Sequence, residues 1–344
     1  EDAVVEGLGM MTDVMNGMGL TTAFDASAKE FDMNFIKRTL DRLAKRGVLT
    51  VRIVGAATTD SADDVDRAVD RAEAWGEYIK GDGFHYNALK IFSDGTLEAR
   101  TAAMFEDYQG NPGNAGHTIF SEAQLATMMI DAASRGIDVH VHALGERAVH
   151  EALNAVSAAR EAHPDSPTNF VLVHIEVIAD QDIPRFAELG VYAQTSPLWF
   201  SYDEYGEQFV SDDQFQRYWP VRSLEREGAR LAFGSDFPAT GLGIAGMHPL
   251  LNIETGHTRQ IPGQPDSPVQ PRASERLSLE SLIHGYTLGP AQMLHMEDQV
   301  GSIEVGKKAD LVVLDRDIFA IDVYSIHETT VLLTVMDGEI VHEL

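Results

Sequence analysis

Cysteine is absent from the 344-residue chain, which excludes a disulfide framework and any Cys-ligated zinc site. Basic residues are scarce: 26 Lys and Arg stand against 54 Asp and Glu, a formal net charge of −28. That balance makes nucleic acid and anionic membrane poor partners and reads as an acidic, solvated surface. No apolar run approaches the roughly 20 residues that a membrane span needs, and there is no internal repeat or low-complexity tract. The lack of Cys fits a reducing compartment, so a cytoplasmic setting is expected. The chain opens at Glu1, with neither Met nor a leader-like segment, and is expected to be a piece of a longer protein.

What is present is alternation. Apolar strand-like runs lie near residues 20, 48, 88, 138, 170, 191 and 230, among them Val48–Val54, Ala88–Phe92, Phe170–His174 and Arg230–Gly234. Amphipathic helical stretches separate them, at Phe31–Arg46, Asp63–Lys80, Ser121–Arg135, Arg147–His163, Asp180–Leu189 and Val221–Glu227. Gly7–Met18 precedes the series and Leu279–Leu294 follows it. Alternation this regular predicts a parallel sheet built from βα units. Seven units are counted where a closed (β/α) barrel wants eight. Two long polar or Gly/Pro-rich segments, Thr96–Thr118 and Ala239–Ala273, interrupt the pattern, and loops of that length inside a domain are usually functional. After Leu294 the helices stop, and Gly301–Leu314 and Thr330–His342 read as a small β appendage. The expected domains are therefore residues 1–295 and 296–344.

Four strands end on a ligand-capable side chain where the pattern would otherwise place Val or Ile: Lys90, His142, His174 and Asp236. In a barrel those ends converge on one mouth. Two imidazoles and a carboxylate suit Zn²⁺ or a similar divalent ion, which would acidify a bound water. Each residue alone has an ordinary reading: a packed core His, a salt-bridged Lys, a Ser-Asp turn. Their recurrence on four strands in order is what points to a shared metal site. His140 shares the strand face of His142 and reads as structural. Tyr108 and Trp199 are candidates for lining a substrate pocket from the long loops, with packing of those loops as the alternative.

Five segments in this order carry a resemblance: Lys90-Ile-Phe-Ser-Asp-Gly-Thr-Leu-Glu-Ala-Arg, Val141-His142-Ala-Leu-Gly-Glu-Arg-Ala, His174 in its strand, Gly234-Ser-Asp236-Phe-Pro and Gly301-Ser-Ile-Glu-Val-Gly-Lys-Lys-Ala-Asp-Leu-Val. The chain resembles the metal-dependent amidohydrolase superfamily, and within it amidohydrolase family 3, the group that includes N-substituted formamide deformylases. The resemblance covers nearly the whole chain. It implies an α/β TIM-like (β/α)₈ barrel with a β-sandwich built from both chain ends. It also implies a carboxylated Lys90, His142 and His174 as metal ligands, and Asp236 as ligand and general base and acid. The superfamily's first-strand His-x-His is missing; His140-Val-His142 matches its spelling but lies too late in the chain. The expected architecture is thus a barrel without its first βα unit and a partial β-sandwich.

The expected function is metal-dependent cleavage of a C–N bond in an amide or formamide-like small molecule, with a divalent metal, Zn in one or two copies, as cofactor. An open sheet edge would also invite association with a second copy. Two rivals stand beside it. One is a catalytically inactive, incomplete scaffold. The other is a Schiff-base enzyme using Lys90, which leaves the two histidines and Asp236 without a role.

Overall fold

A computed structural model describes residues 2–26 and 32–344. Seven parallel strands form one curled sheet, and each pairs with its neighbours in sequence. They are β1 (Thr22–Asp25), β2 (Arg52–Thr59), β3 (Phe84–Phe92), β4 (Asp138–Ala143), β5 (Phe170–His174), β6 (Tyr192–Thr195) and β7 (Arg230–Phe233). A two-residue strand, Lys80–Gly81, adds an antiparallel turn at the foot of β3. Among the described residues β7 does not pair with β1, so the sheet is a barrel wall left open at two edges. This is the expected architecture, a TIM-like barrel short of one βα unit.

Helices pack around the sheet. They are α1 (Asp2–Gly17), α2 (Met33–Lys45), α3 (Val65–Tyr78), α4 (Glu122–Arg135), α5 (Glu146–Ala162), α6 (Ile183–Glu188), α7 (Asp212–Gln216), α8 (Val221–Arg226), α9 (Pro249–Thr258), α10 (Leu279–Tyr286) and α11 (Leu288–Met293). Ser121 starts α4 with a full capping box: its hydroxyl accepts from the Gln124 N–H at 3.3 Å and its own N–H donates to the Gln124 side chain at 2.9 Å. Strand parity then sorts the core. Leu89, Ile91, Val139, Val141 and Leu172 pack in one cluster with α3, α4 and α5. Val54, Val171, Val173 and Tyr192 face the concave side and pack on α11 and the turns after it. None of the described helices is long and apolar enough to cross a membrane.

The C-terminal appendage is a three-stranded antiparallel sheet of β8 (Leu311–Leu314), β9 (Val331–Met336) and β10 (Glu339–Glu343). It is tied to the first helix by Thr334, whose hydroxyl donates to the Asn16 carbonyl at 2.7 Å.

Several expected boundaries move. The second strand is not Val48–Val54 but Arg52–Thr59. It runs on through Gly55, because the small residues Ala56 and Ala57 are fully buried between the layers. The segment Ala239–Ala273 is not all loop but contains α9, capped by His248, whose Nδ1 accepts from the Leu250 N–H. Leu279–Leu294 is two helices, broken at Thr287, whose backbone leaves helical geometry at φ −124° and ψ −88°. The β character expected over Gly301–Leu314 is confined to Leu311–Leu314. Phe31, expected to open the second helix, lies outside the described residues.

Candidate active site

β3, β4 and β5 bring three of the expected residues together. Pairing sets Lys90 opposite His140, Phe92 opposite His142 and Ala143 opposite His174. The alternation of β4 buries Val139 and Val141 under the helices and turns His140 and His142 the other way. His140 stacks on Phe24 of β1, with ring centroids 4.1 Å apart. One step further along the strand, the rings of His142 and His174 meet edge to face at 4.6 Å. Lys90 is 2% exposed, and its amine lies 5.1 Å from the centre of the Phe92 ring.

Burial sets the charge states. It lowers the Lys90 amine to about 8, against an opposing pull from Asp236. It lowers the His140 and His142 imidazoles to about 3, with the Lys90 charge adding to the shift. His174 is driven down by burial, then by His142 and Lys90. All three rings are therefore neutral near pH 7, the state in which imidazole binds a metal. Nε2 of His142 faces the Gly95 carbonyl at 3.0 Å. A carbonyl only accepts, so Nε2 carries the proton and Nδ1 keeps its lone pair. That Nδ1 is buried without a partner, as is Nε2 of His140.

Asp236 follows β7. The residue is exposed to solvent; partial desolvation by the surrounding chain raises its carboxyl above the usual carboxylate range, and Lys90 draws it back down. Among the described residues, no three His, Asp or Glu side chains come together as a metal-ligating group. Asp236 therefore does not complete the pair formed by His142 and His174; its electrostatic link to them runs through Lys90, whose charge acts on all three. The donors fit a divalent ion in kind, with two neutral imidazoles, one of them holding a buried and unpartnered nitrogen, beside a desolvated amine. In number they fall short of a full ligand shell.

The backbone at these strand ends is unusual. His174 and Ile175 take φ of 76° and 45° in succession, and Asp236 takes 53°. A β-branched residue such as Ile175 is rarely found there, and such conformations cluster at functional sites.

Of the pocket candidates, Trp199 lies beside the site, its ring 5.6 Å from that of His174. Tyr108 is buried and its hydroxyl donates to the Ala102 carbonyl at 2.8 Å, so it braces the loop after β3.

Three supporting groups have no role that the sequence alone assigns. Asp94 accepts backbone N–H bonds from Ala103 at 2.9 Å, Leu144 at 3.1 Å and Gly145 at 3.0 Å. It thereby pins the loop after β3 to the turn after His142. Glu146, at the start of α5, pairs with Arg217 and accepts from Gln214 at 3.2 Å, tying the loop after β6 to the same turn. Glu176, two residues past His174, is 6% exposed, and burial raises its carboxyl well above the ordinary range. Sequence signals point to two of them, the Ser93-Asp94-Gly95 turn and Glu146 in the Gly-Glu-Arg-Ala run after His142; Glu176 has none.

The amidohydrolase family model matches residues 2–342. The chain belongs to the amidohydrolase family. It is 32% identical over 80% of its length to the Bacillus subtilis protein YtcJ, which carries an amidohydrolase name, and covers 50% of that protein. It is 26% identical over 99% of its length to the N-substituted formamide deformylase of Arthrobacter pascens, covering 61% of that enzyme. In fold it is similar to an uncharacterized metal-dependent hydrolase from Pyrococcus horikoshii, with a TM-score of 0.74 and 22% identity over 93% of this chain and 61% of that one. This amidohydrolase-family chain spans about half the length of the curated relatives it matches.

Proposed function

We propose that this chain carries the greater part of the site of a metal-dependent hydrolase that cleaves the C–N bond of an amide or formamide-like small molecule. The observation that carries the reading is the buried pair His142 and His174, ring to ring at 4.6 Å beside the Lys90 amine, at the ends of three adjacent strands. Family membership and the formamide deformylase among its relatives support the bond class. His142 and His174 would hold a divalent ion, Zn²⁺ by the chemistry of the donors, with a carboxylated Lys90 as a further ligand; for Asp236 to join them as a ligand it would have to close on the pair from its position after β7. When bound, such an ion polarises a carbonyl and acidifies water.

The chain's own residues do the rest. Asp236 takes the proton from the attacking water and returns it to the departing nitrogen. Its raised carboxyl suits a group that must carry a proton in one half of the cycle and release it in the other. Lys90, lowered to about 8, holds a fraction of free amine at neutral pH, which carbamate formation with CO₂ requires.

The test is metal content per chain, purified without chelator and reconstituted with zinc, followed by hydrolysis of simple formamides. About one ion per chain, lost in the double variant His142→Ala and His174→Ala, is the expected result. A second reading, an incomplete barrel that binds no metal, is favoured by the absence of a three-ligand group among the described residues. Near-zero metal in the wild-type chain selects that reading.

A further inference from the structure

One cavity has no part in that chemistry. It holds about 360 Å³, within the range of about 300–1,000 Å³ that small-molecule pockets occupy. It lies on the seam where α8, α9 and the segment entering α10 meet the turn Val323–Glu328, which joins β8 to β9. None of its lining residues belongs to the His142 and His174 site. The chain carries 54 Asp and Glu against 26 Lys and Arg, yet among the described residues no carboxylate side chain lines this cavity. Arg222, His257 and Arg276 do, and Leu277, Val323 and Tyr324 supply a largely apolar wall.

Neutral partners hold the cationic groups in place. Arg276 donates from Nε to the Thr258 carbonyl at 2.8 Å and from Nη2 to the Gln260 side-chain oxygen at 3.3 Å. The Tyr324 hydroxyl donates to that same oxygen at 2.6 Å. Gln260 is fixed in turn, its amide donating to the Pro265 and Ser267 carbonyls at 2.8 and 2.6 Å. Two of the five N–H donors of Arg276 are thereby used, and among the described residues its partners are not carboxylates. Nδ1 of His257 faces the Leu277 carbonyl at 2.7 Å, so it carries the proton and Nε2 is left for a ligand. The surrounding acids are each matched elsewhere. Glu225 pairs with Arg222, and the exposed Glu280 interacts with His257. Buried Arg259, bonded to three carbonyls, is met by Glu275 and opposed by Arg276. A guanidinium fork fixed in this way and left without a carboxylate is suited to bind an oxyanion through parallel hydrogen bonds.

We propose that this cavity binds a small phosphate monoester, with Arg276 as the fork on its phosphate, Arg222 and His257 flanking that group, and the ester's short apolar body against Leu277, Val323 and Tyr324. The inference goes beyond the hydrolase reading and does not depend on it, because the two sites share no residue. A dianion answers both arginines, which a single carboxylate does not, and His257 shares a proton between Nε2 and a phosphate oxygen. A bare phosphate would leave the apolar wall uncovered. The net charge of −28 repels long polyanions, whereas one compact dianion is held at short range. The ligand would touch both the barrel helices and the turn between β8 and β9, so binding also fastens the appendage to the barrel.

The test titrates the chain at low salt with phenyl phosphate, with inorganic phosphate and with phenol as the uncharged control, read by calorimetry. One phenyl phosphate per chain is expected, bound about tenfold more tightly than inorganic phosphate through the half-covered ring. Phenol should not bind, and phenyl phosphate should raise the thermal unfolding midpoint by mass action. Arg276→Gln should weaken phenyl phosphate about ten- to a hundredfold, the value of a charge-assisted fork. Arg222→Gln, which also releases Glu225, should weaken it as well and keeps the test decisive if the first variant misfolds. The double variant His142→Ala and His174→Ala should bind phenyl phosphate as the wild type does, which separates this cavity from any metal at the other site. No saturable binding by the wild type, binding indifferent to both arginine variants, or binding lost in the histidine double variant overturns the proposal. Equal affinity for the two phosphates overturns the monoester in favour of free phosphate.

Discussion

β4 and β5 on one side, and β8 and β9 on the other, are built from much the same residues and meet opposite fates. β4 reads Asp-Val-His-Val-His-Ala and β5 Phe-Val-Leu-Val-His, and every residue of both is buried. β8 reads Leu-Val-Val-Leu, and its first three residues are exposed. Val312, Val313, Leu332 and Ile340 of the small sheet are 43%, 45%, 38% and 60% exposed. An apolar strand therefore says that a sheet will form; what covers it depends on the layers around it. In the barrel, helices cover one face and the closing curve covers the other. Polar atoms inside that dry wall must either be paired or be used, which is why the unpartnered His142 Nδ1 carries information that an exposed Val313 does not.

The comparison breaks most sharply at the site. Asp236→Asn should reduce turnover by about a hundred- to ten-thousandfold, the range for loss of a general acid–base, with the thermal unfolding midpoint unchanged. Full activity in that variant would falsify the role assigned to Asp236. The next largest effect is on stability. Leu172→Ala removes a side chain from the wall where it is fully buried and should cost about 2–5 kcal/mol. Val313→Thr on the small sheet should stay within about 0.5 kcal/mol. Urea unfolding measures both, and similar losses would show that the small sheet is covered in solution. A smaller effect belongs to Asp94→Asn. The carboxylate presents one oxygen to Leu144 and the other to Ala103 and Gly145. An amide would turn an NH₂ against one set of donors and cost about 1–3 kcal/mol. Amide exchange in residues 102–105 and 143–146 should rise with it; unchanged exchange would remove Asp94 from its bracing role.

The barrel and the strand-end residues were legible in the sequence because both depend on short-range pattern. Period-two alternation placed His142 on the inner face, and each strand's last residue stood out against its Val and Ile. Family motifs read the same residues a second way. What escaped depends on contacts far along the chain. Glu146 and Arg217 meet across 71 positions, and neither side of that pair marks the other. The helix α9 was hidden because it is buried nearly all round, Leu250, Ile253, Glu254 and Thr258 alike, and so shows no amphipathic stripe. β2 was set four residues too early because Ala56, Ala57, Thr58 and Thr59 lack the bulk that signals a strand, although both faces there are filled. The position of Asp236 relative to the two imidazoles was the hardest to read. It depends on how far the sheet curls, a property of all seven strands at once.

The smallest effect lies on the seam between the two regions. Asp138 at the foot of β4 is 3% exposed and faces His295, just past α11, with Nε2 to Oδ1 at 3.0 Å. That hydrogen bond, more than the burial opposing it, raises the His295 imidazole above 6.5. A histidine raised on folding binds its proton more tightly in the folded state. Its contribution to stability is therefore complete below the unfolded value and disappears as pH rises through the folded one. The His295 side chain is 44% exposed, so solvent screening holds the contribution under about 1 kcal/mol. His295→Gln should be measurably less stable than wild type near about pH 5.5 and indistinguishable near about pH 9. A deficit that persists unchanged at the higher pH would mean that His295 supports the seam by packing, and that the charge on Asp138 is answered by the Asn169 N–H, which donates to the same oxygen at 2.8 Å.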